Sequence, residues 1–218
     1  MKWFFNRGPR SKLALALTSY PPYCEPYSRN HHELNEAQAK ENFAYFVDQK
    51  TTRLSVVTDF LATQGINIAS VLDEGEDPKQ VLDSLFFWAQ ENWPPLIDKS
   101  LSRVEAWHLW QSSDRQDAEI IFSLAMDVAI TIGEMVILKR PQYQWNVDFE
   151  PFKKGDHMPS ARRVVLTAPS VLVHGTNAIV DWELIVAERA IRRTTEPLND
   201  WYRAYQSCVS GGYEGVGV

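Results

Sequence analysis

Asp127 and Glu134 are the residues whose type and spacing most invite chemistry. They stand seven apart in an otherwise apolar stretch, and on a helix that spacing leaves their directions only about 20° apart. Two carboxylates on one helix face can hold a metal or divide acid and base roles. Two turns, however, separate them by about 10 Å along the axis, and no histidine accompanies them at helical spacing. An unpaired carboxylate in an apolar element is costly. The pattern therefore predicts that each meets an arginine, such as Arg162 or Arg163, or caps strand amides. Trp145 and Asp148, with Tyr143, make the second candidate group. On a strand Tyr143, Trp145 and Val147 share one face and Asp148 takes the other, a placement that suits core packing more than a ligand platform.

The other reactive residues do not assemble. His31 and His32 are neighbours, His108 between Trp107 and Leu109 reads as a partly buried structural residue, and His157 and His174 lie in separate loops. No His-Glu-x-x-His or Cys-x-x-Cys spacing is present. Neither is a Gly-x-Ser-x-Gly elbow, a phosphate loop or a dinucleotide fingerprint. Catalytic residues, a metal and a cofactor are therefore not expected, and Asp127, Glu134, Trp145 and Asp148 stand as candidate binding residues. Cys24 and Cys208, near opposite ends, read as free thiols of a cytoplasmic protein.

The elements that position these residues are mostly helices. Residues 1–30 read as an extended arm, because Tyr20-Pro21-Pro22-Tyr23-Cys24-Glu25-Pro26-Tyr27 favours a polyproline-like path. Its tyrosines either dock on the body or offer a ligand to a partner. A long helix is predicted from Asn35, boxed by Gln38, to a left-handed Gly65. Its apolar residues are Ala39, Phe43, Phe46, Val47, Leu54, Val57, Phe60 and Leu61, with a break plausible at Thr51-Thr52. A second helix starts at Asp77-Pro78 and stops at Pro94-Pro95, and residues 96–112 suggest only short turns.

The third helix, capped by Ser113 with Gln116, is apolar on nearly every face from Ile120 to Leu138 and belongs at the centre of the fold. Its four carboxylates argue against a membrane span. After Pro141 the period shortens to two, predicting a strand over Tyr143–Phe149 and short strands at Arg163–Thr167 and Val171–Val173. A last long helix is expected from Asn177 and a short one over Leu198–Tyr205. The fold class is thus α+β and predominantly helical: long amphipathic helices around a central apolar helix, with a small sheet in the C-terminal half. The organisation is an arm at 1–30, one domain at 31–210 and a loose tail at 211–218.

Composition bounds the partners. The chain of 218 residues carries a net charge of −6, distributed as +4 over residues 1–30, −11 over 31–150 and +1 over 151–218. An acidic body repels phosphate backbones, so nucleic acid is disfavoured. The apolar run Leu13–Leu17 is too short for a signal peptide core or a membrane span.

The start around Tyr20-Pro21-Pro22-Tyr23, the run Asp127-Val128-Ala129-Ile130-x-Ile132-Gly133-Glu134 and the following Pro141-x-x-x-Trp145-x-x-Asp148 resemble an uncharacterised family of bacterial cytoplasmic proteins with no assigned activity. The Gly-Glu helix leading into a Trp-bearing strand also looks like segments of toxin-neutralising, immunity-type α+β domains. Gly133 removes a side chain where another element must come close, and Glu134 beside it is placed to bond backbone in the next strand. The function expected is a non-catalytic interaction module that binds a basic protein partner, with homodimerisation left open. A metal-assisted hydrolase using Asp127 and Glu134 is the alternative, and a small-molecule sensor with an aromatic pocket is the third.

Overall fold

The computed structural model of the chain describes residues 12–28, 30–73, 75–149, 159–173, 176–191 and 201–210. His157, His174 and the tail predicted at 211–218 lie outside these residues.

The arm is not wholly extended. Helix α1 (Lys12–Ala16) runs into a tight 3-10 turn at Leu17–Ser19 before the chain straightens at Tyr20. Leu13, Leu17, Tyr20 and Tyr23 are all buried, so this segment docks on the body through its apolar side chains. Helix α2 (Glu36–Thr63) follows without a break at Thr51-Thr52. Its start is the predicted box: Asn35 Oδ1 accepts the Gln38 amide at 2.9 Å and Gln38 Oε1 accepts the Asn35 amide at 3.0 Å. Gly65 closes the turn beyond it with φ of +79°, a conformation glycine adopts freely. The buried face comprises Ala39, Asn42, Phe46, Arg53, Val57 and Leu61; Val47, predicted in the core, is exposed.

Helix α3 (Ala69–Leu72) leads to α4 (Lys79–Asn92), where Asp77 Oδ1 accepts the Lys79 amide at 3.1 Å. Helix α5 (Arg103–Ser112) is regular where only short turns were expected, because Ser102 and Glu105 form a second capping box. Ser113 ends this helix instead of starting the next one. Arg115 and Asp117 both take positive φ, which no helix through Gln116 would tolerate. Helix α6 therefore begins only at Ile121 and runs to Lys139. Every residue from Ile121 to Gly133 is buried. By length and composition residues Asp117–Lys139 would suffice to cross a membrane, but 83% of the apolar window is buried inside the protein. It is the core helix, packed against α2, α3, α7 and α8.

Strands β1 (Gln144–Val147), β2 (Val164–Val173) and β3 (Thr176–Val180) form an antiparallel sheet in that order. The two short runs predicted at Arg163–Thr167 and Val171–Val173 are one strand with an irregularity between Ala168 and Leu172. The helix expected from Asn177 is delayed, since Thr176–Val180 pairs with β2 and the helix is capped only at Asp181. Asp181 Oδ1 accepts the Leu184 amide at 2.8 Å, and helix α7 spans Trp182–Ile191. Helix α8 (Trp201–Val209) buries Trp201, Tyr205 and Cys208, one stripe at four- and three-residue spacing. The chain is α+β and mostly helical, as its periodicity predicts.

Candidate functional site

Helix α6 carries Asp127 into the interior with no exposed surface at all. Arg53, on the buried face of α2, meets it side-on: Nε donates to Oδ1 at 2.8 Å and Nη2 donates to Oδ2. The Tyr20 hydroxyl also donates to Oδ2. Neither Arg162 nor Arg163 is the partner, contrary to the expectation, because both turn elsewhere. Burial pushes the Asp127 carboxyl up to about 6 against the opposing pull of Arg53 and Tyr20. At neutral pH the pair is ionised.

Glu134 faces a different direction. Its Oε1 accepts from Lys50 Nζ at 2.7 Å and from the Trp145 indole at 2.6 Å. The expected backbone bond is replaced by this side-chain one. Trp145 reaches it because Gly133 clears the way: a Cβ built there would lie 2.1 Å from Trp145 Cζ2. Tyr143 and Val147 are buried and Trp145 half-buried, whereas Gln144 and Asn146 are exposed, as strand alternation requires. Asp148 does not face solvent on the far side. It is buried at the end of β1, where Ser160 Oγ donates to its carboxylate at 2.6 Å and the Arg162 amide to its carbonyl at 2.8 Å. It anchors the return of the chain into β2. Asp127 and Glu134 thus answer separate cations, and Trp145 joins only Glu134.

A second buried network has no counterpart among the sequence expectations. Arg163, leading into β2, donates from Nε to Asp181 at 2.5 Å and from Nη2 to Glu183 at 2.7 Å. Arg115 approaches the other oxygen of Glu183 at 2.8 Å and Glu25 at 3.8 Å. The Trp110 indole donates to Glu183 at 3.2 Å and its ring lies under the Arg163 guanidinium, 4.3 Å from its carbon. Arg163 Nη1 can only donate, which assigns His31 Nδ1 at 3.2 Å as acceptor and turns Nε2 toward Glu25 at 3.6 Å. Arg162 instead donates to the carbonyls of His32 and Leu34. His108, by contrast, is exposed on α5, not partly buried.

The electrostatics of this network give a pH prediction. Burial opposes ionisation of Glu25, but Arg115, His31 and Arg163 outweigh it and hold the carboxyl at about 2, below the ordinary 4.5. Such a group stabilises the fold above its unfolded value and loses that contribution as pH falls through the folded one. Glu25→Gln is therefore expected to cost about 3 kcal/mol at pH 7. The cost shrinks as pH drops from 4.5 toward 2. Urea titrations of both proteins at several pH values check it; a pH-independent difference contradicts it.

Among the described residues no group of three or more His, Cys, Asp or Glu side chains is arranged to hold a metal ion. Both cysteines are free, and burial pushes the Cys208 thiol up to about 12. The fold and its interior define a helix-rich α+β protein built around paired buried charges. Comparisons with protein-family models, curated proteins and solved structures give no match for the chain.

Proposed function

We propose that this chain is a non-catalytic protein-interaction module that covers a basic partner, in the manner of immunity-type proteins. The carboxylates spaced for chemistry are occupied by cations of their own fold, which supports a role without catalysis. The observation that carries the reading is Phe87, 64% exposed on α4. It stands on an open face that it shares with Glu76, Asp77, Lys79 and Asp83, where Lys79 pairs with Asp83 at 2.6 Å. An aromatic anchor inside a polar, oppositely charged rim is the usual composition of a binding hot spot. The exposed carboxylates steer a basic surface to the site, and the ring supplies the buried contact. The net charge of −11 over residues 31–150 acts in the same sense. A cytoplasmic location belongs to this reading, since Cys24 and Cys208 carry free thiols.

The test is retrieval of the partner by the full-length protein from its source cells, then measurement of the purified pair. Phe87→Ala is expected to weaken binding about tenfold or more, and Glu76→Lys to slow association and flatten its salt dependence. Both positions are exposed, so neither change should disturb the fold. An acidic partner, or affinity unmoved by both substitutions, removes the proposal.

A further inference from the structure

The acidic face of α4 has a chemical complement within the chain itself. Along α4 the exposed or half-exposed residues Lys79, Asp83, Phe87 and Glu91 recur every four positions and so share one face. Glu76 and Asp77 continue the row ahead of the helix, and Asp73 stands exposed before them. Among the described residues, Asp83 is the only one of these carboxylates with a cation, Lys79 at 2.6 Å. Asp73, Glu76, Asp77 and Glu91 thus leave negative charge around the open ring of Phe87.

Residues 2–10 carry the opposite chemistry. Lys2, Arg7 and Arg10 stand there without a carboxylate, together with the adjoining rings of Trp3, Phe4 and Phe5. Lys12, exposed at the start of α1, adds a further cation.

The path of the arm sets where this chemistry starts from. Residues 20–27 run antiparallel to α2: Tyr27 bonds Asn42, Cys24 bonds Tyr45, Pro21 and Pro22 accept from Arg53, and Tyr20 packs on Phe60. The chain before Tyr20 therefore begins beside the C-terminal end of α2. The acidic row begins from that same end. Backbone bonds from the Ile66 amide to Leu61 and from the Glu76 amide to Ser70 keep α3 and the loop after it close to α2. Residues 1–11 can reach roughly 40 Å at most, against a radius of gyration of about 17 Å for a chain of this length. So short a tether gives a segment an effective concentration on the order of millimolar at a face within its reach. An anionic bilayer would attract the same cations, but Asp73, Glu76 and Asp77 at this end would be repelled by it. The chain's own acidic face is the better complement.

We propose that residues 2–10 bind the acidic face of α4, with their rings against Phe87 and their cations among its carboxylates, so that a basic partner reaches the face only by displacing them. The inference rests on the reading of this face as a site for basic ligands, and adds its regulation.

The probe is a fluorescein-labelled synthetic peptide of residues 1–12, titrated into full-length protein and followed by anisotropy. The full-length variant Trp3→Ala/Phe4→Ala/Phe5→Ala is expected to bind it about tenfold or more tighter than the unaltered protein, whose face is already occupied. Arg7→Glu/Arg10→Glu, altered in charge alone, should give a gain in the same direction. Adding Phe87→Ala or Glu76→Lys to either variant should remove it, and salt raised from roughly 0.05 to 0.5 M should weaken binding. Equal binding by the unaltered protein and both variants, or binding indifferent to Phe87→Ala and Glu76→Lys, overturns the proposal. A dimer of the unaltered protein that the triple variant loses assigns the segment to a second copy, which also overturns it. So does sedimentation with phosphatidylserine vesicles that depends on Trp3, Phe4 and Phe5 while the peptide fails to bind. If the face holds the peptide but source cells yield no basic partner, the interaction reading fails alone. If it captures a partner through Phe87 but ignores the peptide, this inference fails alone.

Discussion

Replacing Arg53 with methionine is expected to lower the unfolding free energy by about 3–5 kcal/mol at pH 8, because it leaves the buried Asp127 carboxylate without its cation. Two further acceptors suffer, since Arg53 also serves the carbonyls of Pro21 and Pro22. The loss should depend on pH with a definite sign. Without Arg53 the buried carboxyl binds a proton at pH values where the unfolded chain has released it. Unfolding then releases that proton, so stability falls as pH rises. The slope approaches about 1.4 kcal/mol per pH unit between pH 5 and 8. In the unaltered protein Asp127 contributes with the same sign only between the ordinary 3.8 and about 6, and adds no slope above. Urea denaturation at pH 5, 6.5 and 8 measures both; a variant whose deficit is the same at all three is inconsistent with a buried, uncompensated Asp127. The companion change Asp127→Asn strands Arg53 instead, and its deficit should lack this pH dependence.

For Gly133→Ala, two terms of opposite sign decide the outcome. Helix propensity alone favours alanine by about 1 kcal/mol in the middle of α6. The added Cβ, however, would meet Trp145 Cζ2 at 2.1 Å and Cη2 at 2.4 Å. The ring has nowhere cheap to go. Its indole nitrogen is bonded to Glu134 at 2.6 Å, and Phe46 stands edge-on at a centroid distance of 5.0 Å. Overpacking of this kind costs about 1–3 kcal/mol and more where neighbours are fixed, so the clash wins and net destabilisation of about 2 kcal/mol is expected. A double-mutant cycle isolates the cause. Trp145→Phe removes the outer ring, and Gly133→Ala should cost less in that background by about 1–3 kcal/mol. A cost unchanged by Trp145→Phe would place the strain elsewhere in the helix.

These two sites mark how far the sequence reaches. The close approach at Gly133 is legible, because a glycine inside an apolar helix has few other reasons to be there. Its partner Trp145 is also in view, as an inward residue of an alternating strand. The partner of Asp127 is not among the expectations. Arg53 lies seven residues after Phe46 and four before Val57, on the buried stripe of α2, and that register could have singled it out. Arg115 gives no such signal: it stands at positive φ in the loop between α5 and α6, outside any periodic element. Nor does Glu25, which is buried only because Tyr20 and Tyr23 carry the arm inward. The capping box at Ser102 and Glu105 is present in the sequence, and α5 follows from it.

What the sequence determines by itself is local. It sets the caps at Asn35 and Gly65, the apolar central helix, the alternation around Trp145 and the acidic balance of the body, because each depends on residues within a turn or two of one another. The tertiary structure decides the rest. Which cation neutralises Asp127, which strand holds back the start of α7, and where the tyrosines of the arm are seated all depend on groups tens of residues apart. A charge taken from water must find its opposite wherever the packing brings one, and sequence spacing does not measure that distance.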